Sequence, residues 1–125
     1  MKVTVYAKAV VHPTEDVDKV ARAIRNIFPA ASTALKGAEL VARTDSAEGL
    51  EKLRMMVRSR RIRATVRSLL SKGVEGDRVV FFLNKQAAAA GKLSFYEKGE
   101  VMALGPIEVV VETDDPREFI EWLTQ

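Results

Sequence analysis

With 125 residues, 47% of them hydrophobic and 30% charged, the chain is sized for a single domain over residues 1–125 with one core, and it is too apolar for global disorder. The absence of cysteine excludes disulfides, thiolate nucleophiles and sulfur-ligated zinc within the chain, and suits a reducing, cytoplasmic setting. The formal charge of +3, from 20 Lys and Arg against 17 Asp and Glu, implies a polyanionic partner only if the cations are locally concentrated.

Val3, Val5, Ala7, Ala9 and Val11 alternate with Lys2, Thr4, Tyr6, Lys8 and Val10, the period of a strand with one buried face, and Pro13 stops it. Thr4, Tyr6 and Lys8 break the apolar continuity that a signal peptide requires, and no apolar run approaches the roughly 20 residues of a membrane-spanning helix. Thr14 is placed to cap a helix in which Val17, Val20, Ala21, Ile24, Ile27 and Phe28 recur at three-and-four spacing until Pro29. Residues 32–35 and 39–43 read as two short strands joined by a turn at Lys36-Gly37. Asp45, with Glu48 three positions on, resembles a helix start, and a basic helical stretch follows to about residue 70.

The apolar positions of that stretch change face. Leu50, Leu53 and Val57 form one stripe, whereas Ile62, Val66, Leu69 and Leu70 form another about half a turn around at ~100° per residue. One straight helix cannot bury both against one surface, so the pattern predicts either a break near residues 58–61 or a continuous helix covered on two sides. Beyond a turn at 73–77, residues 78–83 read as a strand apolar on both faces and therefore central in its sheet. Residues 86–90 suggest a helical turn ending at Gly91, and 93–96 and 107–112 supply further strands. Asp114-Asp115-Pro116 starts a last helix with Phe119, Ile120 and Leu123 as its buried stripe. Without repeats, a linker or regular βαβ alternation, these elements predict an α+β fold with helices on a largely antiparallel sheet.

Little in the chain supports catalysis. His12 is the single histidine, so no Ser-His-Asp, Cys-His or multi-histidine metal site can be assembled from one chain. The acid pairs Glu15/Asp16, Glu75/Asp77 and Asp114/Asp115 sit at helix starts or in a turn, where carboxylates have structural uses. Ala90-Gly91-Lys92 lacks the earlier glycine and the hydroxyl of a phosphate loop, and no G-x-G-x-x-G occurs, so no cofactor is expected.

The basic stretch stands above background. Lys52, Arg54, Arg58, Arg60, Arg61, Arg63, Arg67 and Lys72 occur with no acid from Lys52 to Val74. Guanidinium groups form forked hydrogen bonds to phosphate oxygens, and concentrated cations release counterions from RNA; the plainer alternative is a solvated helix face whose arginine stems cover apolar surface. Asn84, Lys85 and Gln86, with Lys92 beyond them, form a second polar group suited to bases, 2′-hydroxyls or phosphates, or simply to satisfying backbone at a strand end. Tyr6 and Tyr96 are candidates for base stacking, while Phe95 reads more as core.

Several segments are distinctive when taken together: Val11-His12-Pro13-Thr14-Glu15-Asp16, Asn26-Ile27-Phe28-Pro29, the arginine-rich region from Leu53 to Leu70, Leu83-Asn84-Lys85-Gln86-Ala87-Ala88 with Gly91-Lys92 and Phe95, and Leu104-Gly105-Pro106-Ile107-Glu108-Val109. Over nearly the whole chain they resemble an uncharacterised archaeal family to which RNA binding is ascribed. The resemblance implies a fold similar to the large-subunit ribosomal protein that binds 5S ribosomal RNA, with helices on a curved antiparallel sheet. It carries no catalytic or ligand residues across.

The combined expectation is a non-enzymatic RNA-binding protein. Its contacts are expected from Arg54, Arg58, Arg60, Arg61, Arg63, Arg67, Asn84, Lys85, Gln86 and Lys92, with six to eight phosphates giving a log–log salt slope of roughly −4 to −6. The alternative is a protein-interaction or homodimeric module whose arginines meet acidic groups. A metal-dependent phosphoryl-transfer enzyme built on the scattered acids is a remote third reading.

Overall fold

The computed structural model describes residues 1–97 and 103–125. In chain order it comprises β1 (Val3–Val10), α1 (Val17–Ile27), β2 (Ser32–Lys36), β3 (Glu39–Thr44), a 3-10 turn (Ala47–Leu50), α2 (Glu51–Ser59), α3 (Arg63–Lys72), β4 (Val74–Glu75), β5 (Arg78–Asn84), α4 (Lys85–Ala89), β6 (Phe95–Tyr96), β7 (Pro106–Thr113) and α5 (Pro116–Leu123). The strands form one open antiparallel sheet in the order β2-β3-β1-β7-β5-β4, and β6 pairs with β5 beside β4.

Alternation decides which face is covered. Val3, Val5, Ala7 and Ala9 of β1, Val79, Phe81 and Leu83 of β5 and Ile107, Val109 and Val111 of β7 enter one core with the apolar stripes of the helices. Fully buried Phe28, Phe81 and Phe119 anchor it, each contributing about 1.5–3 kcal/mol by leaving water. Among the described residues, the opposite face of the sheet carries no helix layer of its own.

Local chemistry explains the helix ends. Asp16, not Thr14, caps α1, its carboxylate accepting from the Asp18 amide at 2.9 Å, because the helix begins two residues later than the sequence pattern suggested. Asp115 caps α5 through the Glu118 amide at 3.1 Å, with Pro116 in the first turn. Asp45 does not cap a helix; it pairs with Arg43 at 3.0 Å, and the chain passes through the 3-10 turn before α2.

The basic helical stretch does break. α2 ends at Ser59, Arg61 takes φ 57°, and α3 starts at Arg63. This turn resets the helical phase, so that Leu53 and Val57 before it and Val66 and Leu70 after it all enter the core. A left-handed residue is the ordinary way to end a helix, but the usual occupant is glycine. At the far end of α3, Gly73 lies so close to β5 that an added Cβ would fall 2.0 Å from the Val80 carbonyl oxygen.

β5 is an interior strand, as its doubly apolar pattern implied, lying between β7 and the two-residue strands β4 and β6, but only one of its faces is fully buried: Val80 and Phe82 are half-buried. Its second apolar face lines a cleft on the open side of the sheet.

Candidate nucleic-acid interface

The break between α2 and α3 gathers arginines beside the end of α5. Their roles divide. Arg54 donates Nε–H to the Trp122 carbonyl at 2.9 Å, reaches Gln125 Oε1 at 3.1 Å and Glu51 at 3.3 Å, and lies over the Trp122 ring at 4.9 Å. Arg67 donates to Thr124 Oγ1 at 3.1 Å and to the Thr124 carbonyl at 3.4 Å. These two cations satisfy terminal carbonyls of α5 and complement the negative end of its dipole. Arg54 is thereby largely taken up within the fold, whereas Arg67 remains exposed and lines the cleft beside α5.

Arg58 makes one long contact, 3.4 Å from Nη2 to the Gln125 carbonyl, and stays exposed. Arg60, Arg61 and Arg63 are exposed, and their side chains have no hydrogen bond or ion pair among the described residues. Arg58, Arg61, Arg63 and Arg67 line a cleft of about 610 Å³ together with Ala64, Thr124 and Gln125. No carboxylate side chain lines this cleft among the described residues, so an anion entering it meets uncompensated positive charge.

The second expected group has a different function. Asn84 is the N-cap of α4, accepting from the Ala87 amide at 2.9 Å, and its Nδ2 donates to the Tyr96 hydroxyl at 2.7 Å. Lys85 is 5% exposed, and its ammonium donates to the Val10 carbonyl at 2.7 Å, the Leu104 carbonyl at 2.7 Å and Glu15 at 3.0 Å. All three of its donors are thereby used, which withdraws Lys85 from any RNA contact. Burial would push the Glu15 carboxyl up, but the His12 amide at 3.1 Å and the Lys85 ammonium outweigh it and hold the group below its ordinary value. His12 Nε2 lies 3.0 Å from the Leu104 carbonyl, which can only accept, so the proton is on Nε2. Three segments of the family resemblance thus meet at one buried ion pair that ties β1, α4 and the approach to β7. Gln86 and Lys92 remain exposed, and neither lines the arginine cleft.

Cross-strand register sets out the open face. One row runs Lys8, Glu108, Phe82, Tyr96; the next runs Arg43, Tyr6, Val110, Val80. The Arg43 guanidinium lies over the Tyr6 ring at 5.6 Å. Phe82, Tyr96, Val80 and Val110 bound a cleft of about 390 Å³ that Leu69 and Lys72 of α3 close from the side. Phe95, by contrast, turns to the core and meets Phe81 with ring centroids 5.8 Å apart. Val80, Phe82 and Val110 were absent from the expected site. The doubly apolar pattern of β5 was the available signal, and it has two solutions, a central strand or a strand whose second face lines a groove.

A family model described as RNA binding matches residues 4–113. A UPF0201 protein of Sulfolobus acidocaldarius is 44% identical over 124 residues, covering 96% of this chain and 86% of the relative. A UPF0201 protein of Thermococcus onnurineus is 37% identical over 123 residues, covering 95% and 89%. The crystal structure of a UPF0201 protein from Methanococcus jannaschii superposes with a TM-score of 0.82 at 34% identity, covering 100% of both chains.

Proposed function

The chain belongs to the archaeal UPF0201 family and matches a family model described as RNA binding, and from that premise we propose that it is a non-enzymatic RNA-binding protein whose contact surface is the arginine corner between α2 and α3. The observation that carries this reading is the exposure of Arg58, Arg61 and Arg63 in the lining of one cleft that holds no acidic side chain, with Arg60 exposed on the same turn. Forked guanidinium groups grip phosphate oxygens in two directions at once, and displacement of counterions from the RNA drives association. Arg54 works behind this surface and Arg67 at its edge: by holding the end of α5 they fix the wall against which the other arginines stand. Gln86 and Lys92 are peripheral contacts in this proposal, and Asn84 acts as a positioning residue. The cytoplasmic setting and the ribosomal-protein-like fold implied by the resemblance accompany the same reading.

With four arginines on phosphates, log affinity for single-stranded RNA falls with log salt at a slope of about −3, shallower than the larger set of phosphate contacts expected from the sequence would give. Fluorescence anisotropy over a salt series measures it. A flat response, or unchanged affinity after joint replacement of Arg58, Arg60, Arg61 and Arg63 by Ala, overturns the proposal.

A further inference from the structure

We propose that the cleft on the open face of the sheet receives an unpaired nucleobase from a single-stranded RNA whose backbone follows α3 back to the arginine corner. The inference rests on the RNA-binding reading and adds the class of substrate, a single strand instead of a duplex.

Shape and chemistry of the cleft come first. Its volume of about 390 Å³ lies within the range of roughly 300–1,000 Å³ typical of small-molecule sites. Val80, Val110 and Phe82 supply an apolar floor and the Tyr96 ring a wall. The hydrogen bond from Asn84 to the Tyr96 hydroxyl, 2.7 Å, holds that ring in place before any ligand arrives. An aromatic wall of this kind stacks on any base, because every base presents a π face.

Charge then separates a base from a phosphate. The cations lining this cleft, Lys8, Lys72 and Arg78, are matched by the acids Glu75, Glu97 and Glu108. A balanced rim opposes a phosphate but suits a neutral ring whose edge carries both donors and acceptors. The arginine cleft has the opposite character, with cations alone.

A third depression lies between the two clefts and shares lining residues with each. Lined by Ala64, Thr65, Ser68, Leu69, Lys72 and Glu97, it shares Ala64 with the arginine cleft and shares Leu69, Lys72 and Glu97 with the aromatic one. The path follows α3, which spans about 15 Å from Arg63 to Lys72 at 1.5 Å per residue. A strand held by its phosphates at the first turn of α3 therefore reaches the sheet at the last turn. Bases within an A-form duplex are stacked and paired, and cannot enter such a cleft.

The test uses the unmodified protein with a 4-thiouridine-labelled single-stranded RNA of mixed sequence, the same strand with abasic positions, and the corresponding duplex. The abasic strand is expected to bind about 5- to 150-fold more weakly with an unchanged salt slope, since its phosphates are intact. Photocrosslinks are expected at Phe82 or Tyr96, and the Tyr96→Leu variant, which keeps an apolar side chain there, is expected to lose most of the difference between intact and abasic strands. Equal binding of the intact and abasic strands with the salt slope retained overturns the base site while leaving the arginine reading standing; absence of all RNA binding overturns both. A sedimenting dimer that Tyr96→Leu dissociates assigns this face to a second copy of the chain and also overturns the proposal.

Discussion

Lys85 meets Glu15 at 3.0 Å with only 5% and 11% of the two side chains exposed, and in doing so joins the first strand to the segment entering the last one. Separated by 70 positions in sequence, the two residues form a buried pair in which the remaining ammonium protons go to the Val10 and Leu104 carbonyls.

Removing one member of such a pair leaves the other charge buried, which costs more than the pair contributes in sum. Lys85→Met is expected to lower unfolding stability by about 3 kcal/mol, and adding Glu15→Gln to recover part of that loss. Urea denaturation of the two single variants and the double variant measures the coupling; a single-variant loss below about 1 kcal/mol contradicts this account of the pair.

The same pair makes stability depend on pH. The folded Glu15 value lies below the unfolded one, so its contribution is complete above the unfolded value of about 4.3 and is lost as pH falls through the folded value. The urea midpoint of the wild-type protein is expected to exceed that of Glu15→Gln by a constant margin near neutrality and by a shrinking margin in acid. A margin that grows on acidification reverses the sign and refutes it.

Arg61 occupies a left-handed conformation, φ 57°, that costs roughly 1–2 kcal/mol for a residue with a side chain. Glycine removes the strain but adds unfolded-state entropy, so Arg61→Gly is expected to leave stability unchanged or raise it by up to about 1 kcal/mol. Its salt slope for RNA is expected to become shallower by about 0.7, one phosphate contact fewer. Thermal melting and anisotropy on one preparation report both; wild-type RNA affinity in this variant removes the functional reason for keeping arginine there.

Arg54 and Arg60 separate structure from binding within the same basic stretch. Arg54→Lys keeps the charge but loses the fork that spans the Trp122 carbonyl and Gln125, and is expected to cost about 1–2 kcal/mol with the RNA salt slope unaltered. Arg60→Lys is expected to be silent in stability, because the Arg60 side chain has no hydrogen bond or ion pair among the described residues. Equal stability losses in the two variants contradict the division of labour drawn between them.

Much of this protein was readable along the chain. The period-two run of β1, the three-and-four spacing of α1, the half-turn change of stripe that called for either a break before α3 or a helix covered on two sides, and Asp115-Pro116 at the start of α5 are local signals, since periodicity and capping depend on near neighbours. The concentration of arginines was equally plain. Which of them the fold uses was not: Arg54 and Arg67 were indistinguishable from Arg60 and Arg63 until α5 brought its last carbonyls alongside. The burial of Lys85 was hidden for the same reason, because its acceptors come from residues 10, 15 and 104. Periodicity and composition thus determined the elements and the excess of positive charge. Only tertiary structure decided which charges were consumed within the fold and that the second apolar face of β5 would line a cleft, because both outcomes turn on partners distant in sequence.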